Sequence, residues 1–126
     1  MTFPENLKYT KDHEWIRIEG DTGAVGITDY AQGELGDVVF VELPVLGKQV
    51  KQGDSFGTIE AVKAVSDLFA PVSGEVIEAN AELEKAPDFI NKEPYGKGWM
   101  LKLKVSNKSE LNSLLDAKAY RELIGK

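Results

Sequence analysis

Short apolar runs separated by glycine- and proline-containing turns fill most of the chain. The runs are rich in Val, Ile, Phe and Trp, which are favoured on a pleated, half-buried surface. Their positions predict β-strands over residues 15–18, 24–28, 37–43, 56–62, 75–79 and 99–105. The first two strands should form a hairpin closed by a turn of about four residues. The pattern therefore predicts a mainly β fold.

A short helix is predicted between the second and third strands. Asp29 is an N-cap residue followed three positions later by Gln32, which indicates a helical turn before Gly36. Residues 80–98 form a long connection that contains two prolines. Connections of this length are more often functional or closely packed than idle.

The C-terminal part of the chain changes pattern twice. The strand over residues 99–105 alternates, which predicts that Met100 shares its polar face with Lys102 and Lys104. From Ser109 onward the period becomes helical, and Gly125 supplies a stop. We expect a C-terminal helix lying on the sheets. Its apolar face would consist of Leu111, Leu114, Leu115, Ala119, Leu123 and Ile124.

A weak internal repeat favours a two-fold plan. The run GDVV at residues 36–39 returns as GEVI at residues 74–77, 38 positions later. Residues 56–60 are loosely echoed by residues 97–101, 41 positions later. We interpret the repeat as two similar β-halves packed face to face, with a hairpin at the end of one half. That arrangement is a β-sandwich.

Composition excludes several kinds of chemistry. The 126 residues are the usual size of one domain, so we treat residues 1–126 as a single domain. The chain has no cysteine, which excludes disulfides, thiolate nucleophiles and Cys-ligated metals. His13 is the only histidine, so a zinc site or a catalytic triad is not expected. Any redox chemistry must therefore come from an attached cofactor.

The charge and the N-terminal residues indicate where the protein acts. A net charge of −6 disfavours nucleic acid and anionic membranes, and suits transient docking to proteins with basic patches. No apolar run approaches the ~20 residues needed to cross a bilayer. The start of the chain resembles neither a signal peptide nor a transit peptide. We expect the bacterial cytoplasm, or a mitochondrion after removal of a targeting segment.

Lys63 lies at the tip of a predicted hairpin, between the strand over residues 56–62 and residues 65–70. Its neighbours Val62 and Ala64 do not crowd its amine. An exposed lysine at a tight turn is open to an acylating enzyme, and its unbranched stem extends the reach of a coupled group. The alternative interpretation is a solvated surface charge.

The residues around Lys63 resemble the lipoyl-attachment segment of glycine cleavage system H proteins. The resemblance is carried by GTIEAVKAVSD at residues 57–67 and APVSGEV at residues 70–76. Further segments agree in order and spacing: HEW at 13–15, GITDYA at 26–31, LGDVV at 35–39, and Asn91 with PYG at 94–96 and GW at 98–99. The chain departs from the family at Ala61, usually serine, and at Phe69, often tyrosine. Neither departure removes the acceptor lysine.

The resemblance implies a lipoyl/biotinyl-carrier-like β-sandwich, the barrel-sandwich hybrid, with an N-terminal hairpin, a short helix and a C-terminal helix. It implies lipoic acid bound covalently as N6-lipoyllysine at Lys63. Biotin carriers share the fold, but they typically flank their lysine with methionines. The implied protein is a carrier and not an enzyme, because the cofactor performs the chemistry.

The resemblance also implies the partners. The carrier would take the aminomethyl group of glycine from glycine decarboxylase (the P protein) to aminomethyltransferase (the T protein). It would pass electrons to dihydrolipoamide dehydrogenase (the L protein). A lipoate-attaching enzyme is a fourth partner. We expect a monomer without bound metal.

Three acidic residues accompany Lys63 in this interpretation. Glu60 resembles the acidic residue that lipoylating enzymes read; the alternative is an ordinary strand-end carboxylate. We hypothesise that the arm folds into a groove near the N-terminal hairpin, where Glu14 pairs with the protonated amine of the adduct. The alternative for Glu14 is a solvated carboxylate. We place Asp67 with Glu14 as a residue that shelters the adduct.

Other residues near these positions have simpler predicted roles. Ser66 and Asp67 could hold the hairpin by side-chain-to-backbone bonds, or contact the attaching enzyme. His13 is predicted to be a structural or surface residue. Trp15 and Trp99 are predicted to be core aromatics.

Four alternative functions remain to be compared. A lipoyl domain of a 2-oxoacid dehydrogenase would have Asp before the lysine, where this chain has Val62. An H-like protein that relays lipoate to other lipoyl domains has the same sequence pattern. An enzyme using His13, Glu14 and Glu60 would lack a nucleophile, a metal set and a phosphate loop. A purely structural interaction module predicts that Lys63→Arg leaves function intact.

Overall fold

The β-branched and aromatic runs form nine strands in the computed structural model, which describes residues 1–126. Six strands make one sheet in the order β1-β2-β3-β9-β8-β5, and three make the other in the order β4-β6-β7. All neighbouring strands are antiparallel. The strands are β1 (Lys8–Tyr9), β2 (Glu14–Glu19), β3 (Thr22–Ile27), β4 (Val38–Glu42), β5 (Gln49–Val50), β6 (Ser55–Ala61), β7 (Val65–Phe69), β8 (Gly74–Ala79) and β9 (Leu101–Val105). The predicted mainly β fold is confirmed.

The main core contains 17 buried hydrophobic residues, contributed by strands of both sheets and by the connections between them. Ile59 of β6 and Leu68 of β7 contribute from the three-stranded sheet, and Val25 of β3 and Leu101 of β9 from the six-stranded sheet. Each such side chain contributes ~1.5–3 kcal/mol by leaving water. A second cluster of six buried residues includes Tyr9, Trp15 and Tyr120.

The internal repeat corresponds to two equivalent strand pairs. The β4–β6 register shifts between Val38 and Phe40, and the β8–β9 register shifts between Val76 and Glu78. These irregularities are 38 positions apart, which is the offset of the sequence repeat. Such a shift bends a strand and increases its twist locally. The two sheets are unequal because β1, β2 and β3 extend one of them beyond β9.

Two predicted turns differ from the structure. Glu19 pairs with Thr22, so the first hairpin closes with the two residues Gly20 and Asp21 and not with about four. Gly20 has φ +63°, the left-handed conformation that tight hairpin turns need. The helix α1 (Asp29–Leu35) is N-capped by Thr28, whose hydroxyl accepts from the backbone N–H of Ala31 at 3.2 Å. The predicted cap at Asp29 is therefore wrong by one residue.

The connection over residues 80–98 is closely packed, as predicted. It contains a 3₁₀ helix (Ala81–Glu84) and the short helix α2 (Phe89–Lys92), which bury Leu83 and Ile90. The last strand starts only at Leu101. Met100 is fully buried just before it, so the prediction that Met100 shares the polar face is wrong.

The C-terminal segment forms two helices and not one. A 3₁₀ helix (Lys108–Ser113) is followed by an extended break, and α3 (Ala117–Ile124) ends at the left-handed Gly125. The break occurs because Leu115 exchanges two backbone hydrogen bonds with Tyr9, both 2.8 Å. In α3 the buried residues are Ala117 and Tyr120, whereas Leu123 is 54% exposed. The predicted apolar face is confirmed only in part: Leu111, Leu114, Leu115 and Ile124 pack partly buried against the core clusters, whereas Leu123 does not. The C-terminal helix and its stop are confirmed. No helix is long and apolar enough to span a membrane.

Candidate functional site at the Lys63 hairpin

Lys63 lies in the three-residue connection between β6 and β7. The backbone N–H of Ala61 donates to the carbonyl of Ala64 at 2.9 Å and closes the turn. The Lys63 side chain is exposed and forms no salt bridge. The predicted position at a hairpin tip is confirmed.

The hairpin tip is fixed to the connection between α1 and β4. The N–H of Val62 donates to the carbonyl of Asp37 at 3.0 Å, and the N–H of Lys63 donates to the carbonyl of Leu35 at 3.3 Å. The stem of Lys63 lies over Gly36, because a β-carbon built on that glycine would be 3.3 Å from the lysine Cγ and Cε. The backbone at the tip is therefore held, while the amine stays accessible.

The Asn91 side chain on α2 holds the connection between α1 and β4 by hydrogen bonds. Its Oδ1 accepts from the N–H of Val38 at 2.8 Å. Its amide group donates to the carbonyl of Gly36 at 2.9 Å and to the Gln32 side chain at 3.0 Å. In the sequence, Asn91 is noticeable only as part of the family resemblance, and no local pattern indicates these contacts.

Glu14 at the start of β2 is buried, with 2% of its surface exposed. Its Oε1 accepts from the Thr10 hydroxyl at 2.6 Å, and its Oε2 accepts from the N–H of Phe69 at 3.3 Å. Burial raises the pKa of this carboxyl to about 8, against the smaller opposing effect of these hydrogen bonds. The alternative interpretation of Glu14 as a solvated carboxylate is wrong.

Glu14 borders two cavities. One, of about 220 Å³, lies between the first turn, α1 and β7, and is lined also by His13, Leu35 and Asp67. The other, of about 390 Å³, extends towards the C-terminal segment and is lined by Phe69 and other residues. Only the smaller cavity includes Leu35, whose carbonyl holds the backbone of Lys63. We call this smaller cavity the arm groove; Glu14 and Asp67 are both among its lining residues.

The residues on either side of Lys63 have different environments. Glu60 is exposed on β6, where it pairs with Phe40 of β4 and Val65 of β7. The Ser66 hydroxyl donates to the carbonyl of Asp67 at 3.3 Å, which is a side-chain-to-backbone bond of the predicted kind. The Asp67 carboxylate makes no hydrogen bond within the protein, so the structure does not support its predicted part in holding the hairpin.

Lys63 is isolated among acidic and apolar residues. It is the only Lys or Arg between Lys51 and Lys85, a span that contains β6, β7 and β8, and β4 also contains none. We call the exposed side of the three-stranded sheet the acidic face. Its defining residues are Phe40, Glu42, Glu60, Val65 and Asp67, the last of which pairs with Thr58 opposite Glu42. Two more exposed apolar side chains, Val39 and Val62, adjoin this face.

The remaining predicted residues separate into core and groove. Trp15 is fully buried, as predicted, but Trp99 is only partly buried and has the Lys102 amine 5.3 Å above its ring. His13 lines the arm groove with Glu14, while Glu60 lies on the acidic face. The acid–base set of the alternative enzyme is therefore not assembled. No group of three or more His, Cys, Asp or Glu residues is placed to hold a metal ion.

Comparison with known proteins gives a consistent result. Residues 7–126 match the family model described as glycine cleavage H-protein. The chain is 55% identical to a glycine cleavage system H protein of Staphylococcus haemolyticus over 125 residues, 99% of each chain. It is 56% identical to one from Bacteroides fragilis over 124 residues, 98% of each chain.

A solved structure extends the likeness to the fold. A crystal structure of a glycine cleavage system H protein from Mycobacterium marinum superposes with a TM-score of 0.89 at 40% identity. The match covers 98% of this chain and 100% of that one. The model match, the two relatives and this structure agree over nearly the full length, and the chain belongs to the glycine cleavage H-protein family.

Proposed function

We propose that the protein is the lipoyl-bearing carrier of the glycine cleavage system, with lipoic acid attached through an amide to Lys63. The observation that carries this proposal is the geometry of the tip. An exposed amine without an ion-pair partner extends from a backbone held at Leu35 and Asp37. These residues fit an acylated lysine, because amide formation displaces no internal contact of the amine. The whole chain, residues 1–126, acts as one carrier domain.

When bound, the lipoyl group supplies the redox and group-transfer chemistry. The chain attaches, presents and shelters it. Attachment keeps the group at a high effective concentration at each docked partner, in place of free diffusion. The partners in this proposal are glycine decarboxylase, aminomethyltransferase, dihydrolipoamide dehydrogenase and the lipoate-attaching enzyme. The bacterial relatives favour the cytoplasm as the place of action.

The arm groove would shelter the cargo amine between partners. Glu14 is the acceptor in this groove, and its burial makes an unpaired negative charge costly there. A protonated amine entering the groove would supply the missing counter-charge. Asp67 also lines this groove and would supply a second carboxylate to the cargo amine. Exclusion of water from the groove would slow hydrolysis of the cargo.

The acidic face would dock to basic partner surfaces. Its exposed apolar residues would be desolvated on contact, while Glu42 and Glu60 steer the approach. Acylation of Lys63 removes the one positive charge of this region. The modified carrier would therefore be more complementary to a basic surface than the unmodified one. Glu60 would also be read by the lipoate-attaching enzyme.

Attachment is tested by mass spectrometry after incubation with a lipoate ligase, lipoate and ATP. One lipoyl increment mapped to Lys63 is expected. Lys63→Arg should abolish the increment, because a guanidinium does not replace the amine as an acceptor. Lys48→Arg alters another exposed turn lysine and should change nothing. A lipoyl increment on another residue, or no increment, would contradict the proposal and favour the interaction module.

The glycine system is tested with the modified protein. Addition of glycine decarboxylase should support exchange of labelled bicarbonate into the carboxyl group of glycine. The unmodified protein should support none and should show no turnover alone. If the modified protein fails in this exchange yet donates its lipoyl group to an unmodified lipoyl domain, it is a lipoate relay.

A further inference from the structure

The hydroxyl of Tyr120, on the C-terminal helix, connects two residues at the arm groove. Its Oη lies 2.8 Å from Nδ1 of His13 and 2.8 Å from Oγ1 of Thr28. Tyr120 and Thr28 are fully buried, and His13 lines the groove beside Glu14. A residue far from Lys63 in sequence is thus in contact with the wall of the arm groove.

The number of available hydroxyl protons shows which group donates in each of these two hydrogen bonds. Oγ1 of Thr28 already accepts from the backbone N–H of Ala31, and its only other partner is Tyr120. The buried Thr28 hydroxyl must therefore donate to Tyr120, since its proton would otherwise be unsatisfied. Tyr120 then donates its own proton to Nδ1 of His13. The imidazole is thus neutral, with its proton on Nε2.

The Nε2 atom of His13 is free to meet a ligand. It makes no hydrogen bond within the protein. Every buried side-chain nitrogen and oxygen atom in the protein has a partner, so Nε2 is not buried. His13 borders the arm groove, and Nε2 is its unused polar atom. His13 therefore has an unused N–H donor and lines the same groove as the Glu14 acceptor.

The backbone of His13 is held in an uncommon conformation. Its φ of 72° makes it the one residue other than glycine in the left-handed region. Residues with a β-carbon adopt this region only at a cost, which is smallest for Asn and Asp. The carbonyl of His13 accepts from the N–H of Thr28 at 3.0 Å, and the Tyr120 bond fixes the ring. The next residue, Glu14, is directed inward by this turn.

We propose that His13 is a neutral hydrogen-bond donor of the arm groove and that Tyr120 is its positioning residue. This inference rests on the proposed function, because the ligand is the arm attached at Lys63. Glu14 would accept from the cargo amine, while Nε2–H of His13 would donate to an acceptor on the same arm. The arm offers two kinds of acceptor, its amide oxygen and its sulfur atoms. The C-terminal helix would thus contribute to sheltering of the cargo.

The charged groups around His13 do not reverse its neutral state. Burial lowers the pKa of the imidazole, and this effect exceeds the opposing influence of Asp12 and Glu34. The other titratable groups that line the groove are Glu14, Tyr30 and Asp67. Protonation would place a hydrogen on Nδ1 and force Tyr120 to donate to Thr28. The buried Thr28 proton would then lose its acceptor, which disfavours the charged form.

The first test is nitrogen NMR of the imidazole in the unmodified protein, where a single histidine gives a single set of signals. We expect the Nε2–H form. Tyr120→Phe should give a mixture of tautomers and move the His13 pKa up towards its ordinary value. Tyr9→Phe is the matched control. Tyr9 stacks on Tyr120 at 4.8 Å, but its hydroxyl donates to the carbonyl of Pro4. An Nδ1–H form, or no change in Tyr120→Phe, would overturn the proposal.

The second test measures the lifetime of the cargo on the modified protein in the absence of partners. Tyr120→Phe should shorten it by about three- to tenfold, the effect of one lost neutral hydrogen bond. His13→Asn should do the same, because Asn tolerates the left-handed backbone but does not reach the Nε2 position. Tyr9→Phe should leave the lifetime unchanged. Unchanged lifetimes in both Tyr120→Phe and His13→Asn would overturn the role of His13 in the groove.

A second acyl group distinguishes between the two possible acceptors on the arm, the amide oxygen and the sulfur atoms. Protein octanoylated at Lys63 contains the amide but no sulfur. A shift of the Nε2–H signal in both octanoylated and lipoylated protein assigns the amide oxygen, and a shift in lipoylated protein alone assigns sulfur. A shift in neither contradicts the proposal. Failure of Lys63 to accept either group sinks the proposed function, whereas the tautomer result in unmodified protein stands independently.

Discussion

Asn91 fixes the backbone of Val38 across 53 residues of sequence, with its Oδ1 2.8 Å from the Val38 nitrogen. The same amide group binds the carbonyl of Gly36. These contacts hold the connection whose neighbouring carbonyls, Leu35 and Asp37, receive the N–H groups of the Lys63 hairpin. Asn91 therefore supports the attachment site without touching the lysine.

Asn91→Ala should destabilise the protein by ~2–3 kcal/mol, because the N–H of Val38 and the carbonyl of Gly36 lose their partner. Chemical denaturation measures this loss. Hydrogen exchange at the amides of Val62 and Lys63 should accelerate. Asn107→Ala removes an exposed cap of the 3₁₀ helix and serves as the control. Equal hydrogen exchange at the hairpin in both variants would contradict a supporting role of Asn91.

Gly36→Ala should slow acylation of Lys63, and the loss of folding stability that it shares with a control variant should not account for this slowing. Gly36 has φ +81°, and its new methyl group would lie 3.3 Å from the lysine stem. Gly47→Ala is the control, because Gly47 has φ +89° with no atom within 4 Å of a built β-carbon. Each variant should lose at least about 1 kcal/mol of unfolding free energy. Only Gly36→Ala should lower the lipoylation rate, measured by mass spectrometry at a temperature where both are folded.

The sequence was sufficient for the position of Lys63 and for the six strands β2, β3, β4, β6, β8 and β9. It did not predict the two-residue strands β1 and β5 or assign β7, and it was insufficient where long-range contacts decide. Alternation and turn residues are local signals, and the hairpin tip follows from them. The break before α3 depends on Leu115 exchanging hydrogen bonds with Tyr9, which overrides the helical period of the C-terminal segment. The burial of Glu14 depends on Phe69, 55 residues away. Charged residues at the start of a strand are usually solvated, so no local pattern predicted that burial.

The difference between local signals and long-range contacts also explains why the sequence did not reveal the roles of two residues. In the sequence, Asn91 falls in the long connection over residues 80–98 and Tyr120 falls in the predicted C-terminal helix, and no local pattern distinguishes either residue. Their partners, Val38 and His13, lie on other elements, and the contacts exist only after the sheets are assembled. The two-fold plan was easier to predict, because the repeat places equivalent register shifts at equivalent positions.

Glu60→Gln should lower the kcat/KM of lipoylation by about tenfold if the attaching enzyme reads this carboxylate through a charged hydrogen bond. Gln keeps the size and removes only the charge. Glu42→Gln is the control, because Glu42 is also exposed on the acidic face and carries the same charge. It should change the rate by less than about twofold. Equal losses in the two variants would instead indicate general attraction by the face, which added salt should weaken for both.

Glu14 should make the stability of the unmodified protein fall as pH rises. Its folded pKa of about 8 lies above the ordinary carboxyl pKa of 4.5, so between these values the folded state binds more protons than the unfolded state. The stabilising contribution is complete below pH 4.5 and is lost as pH rises through about 8. The lowered pKa of His13 acts in the opposite direction around its ordinary value of 6.5.

The contribution of Glu14 is therefore measured as a difference between variants. Glu14→Gln imitates the protonated carboxyl, and relative to it the wild type should lose on the order of 2–4 kcal/mol of unfolding free energy over that pH window. Glu5→Gln removes an exposed carboxylate and should show no such difference. A cargo amine paired with Glu14 would favour the charged carboxylate, so loading should reduce the fall in stability in the wild type but not in Glu14→Gln. The same fall in both variants would show that Glu14 does not titrate in this window.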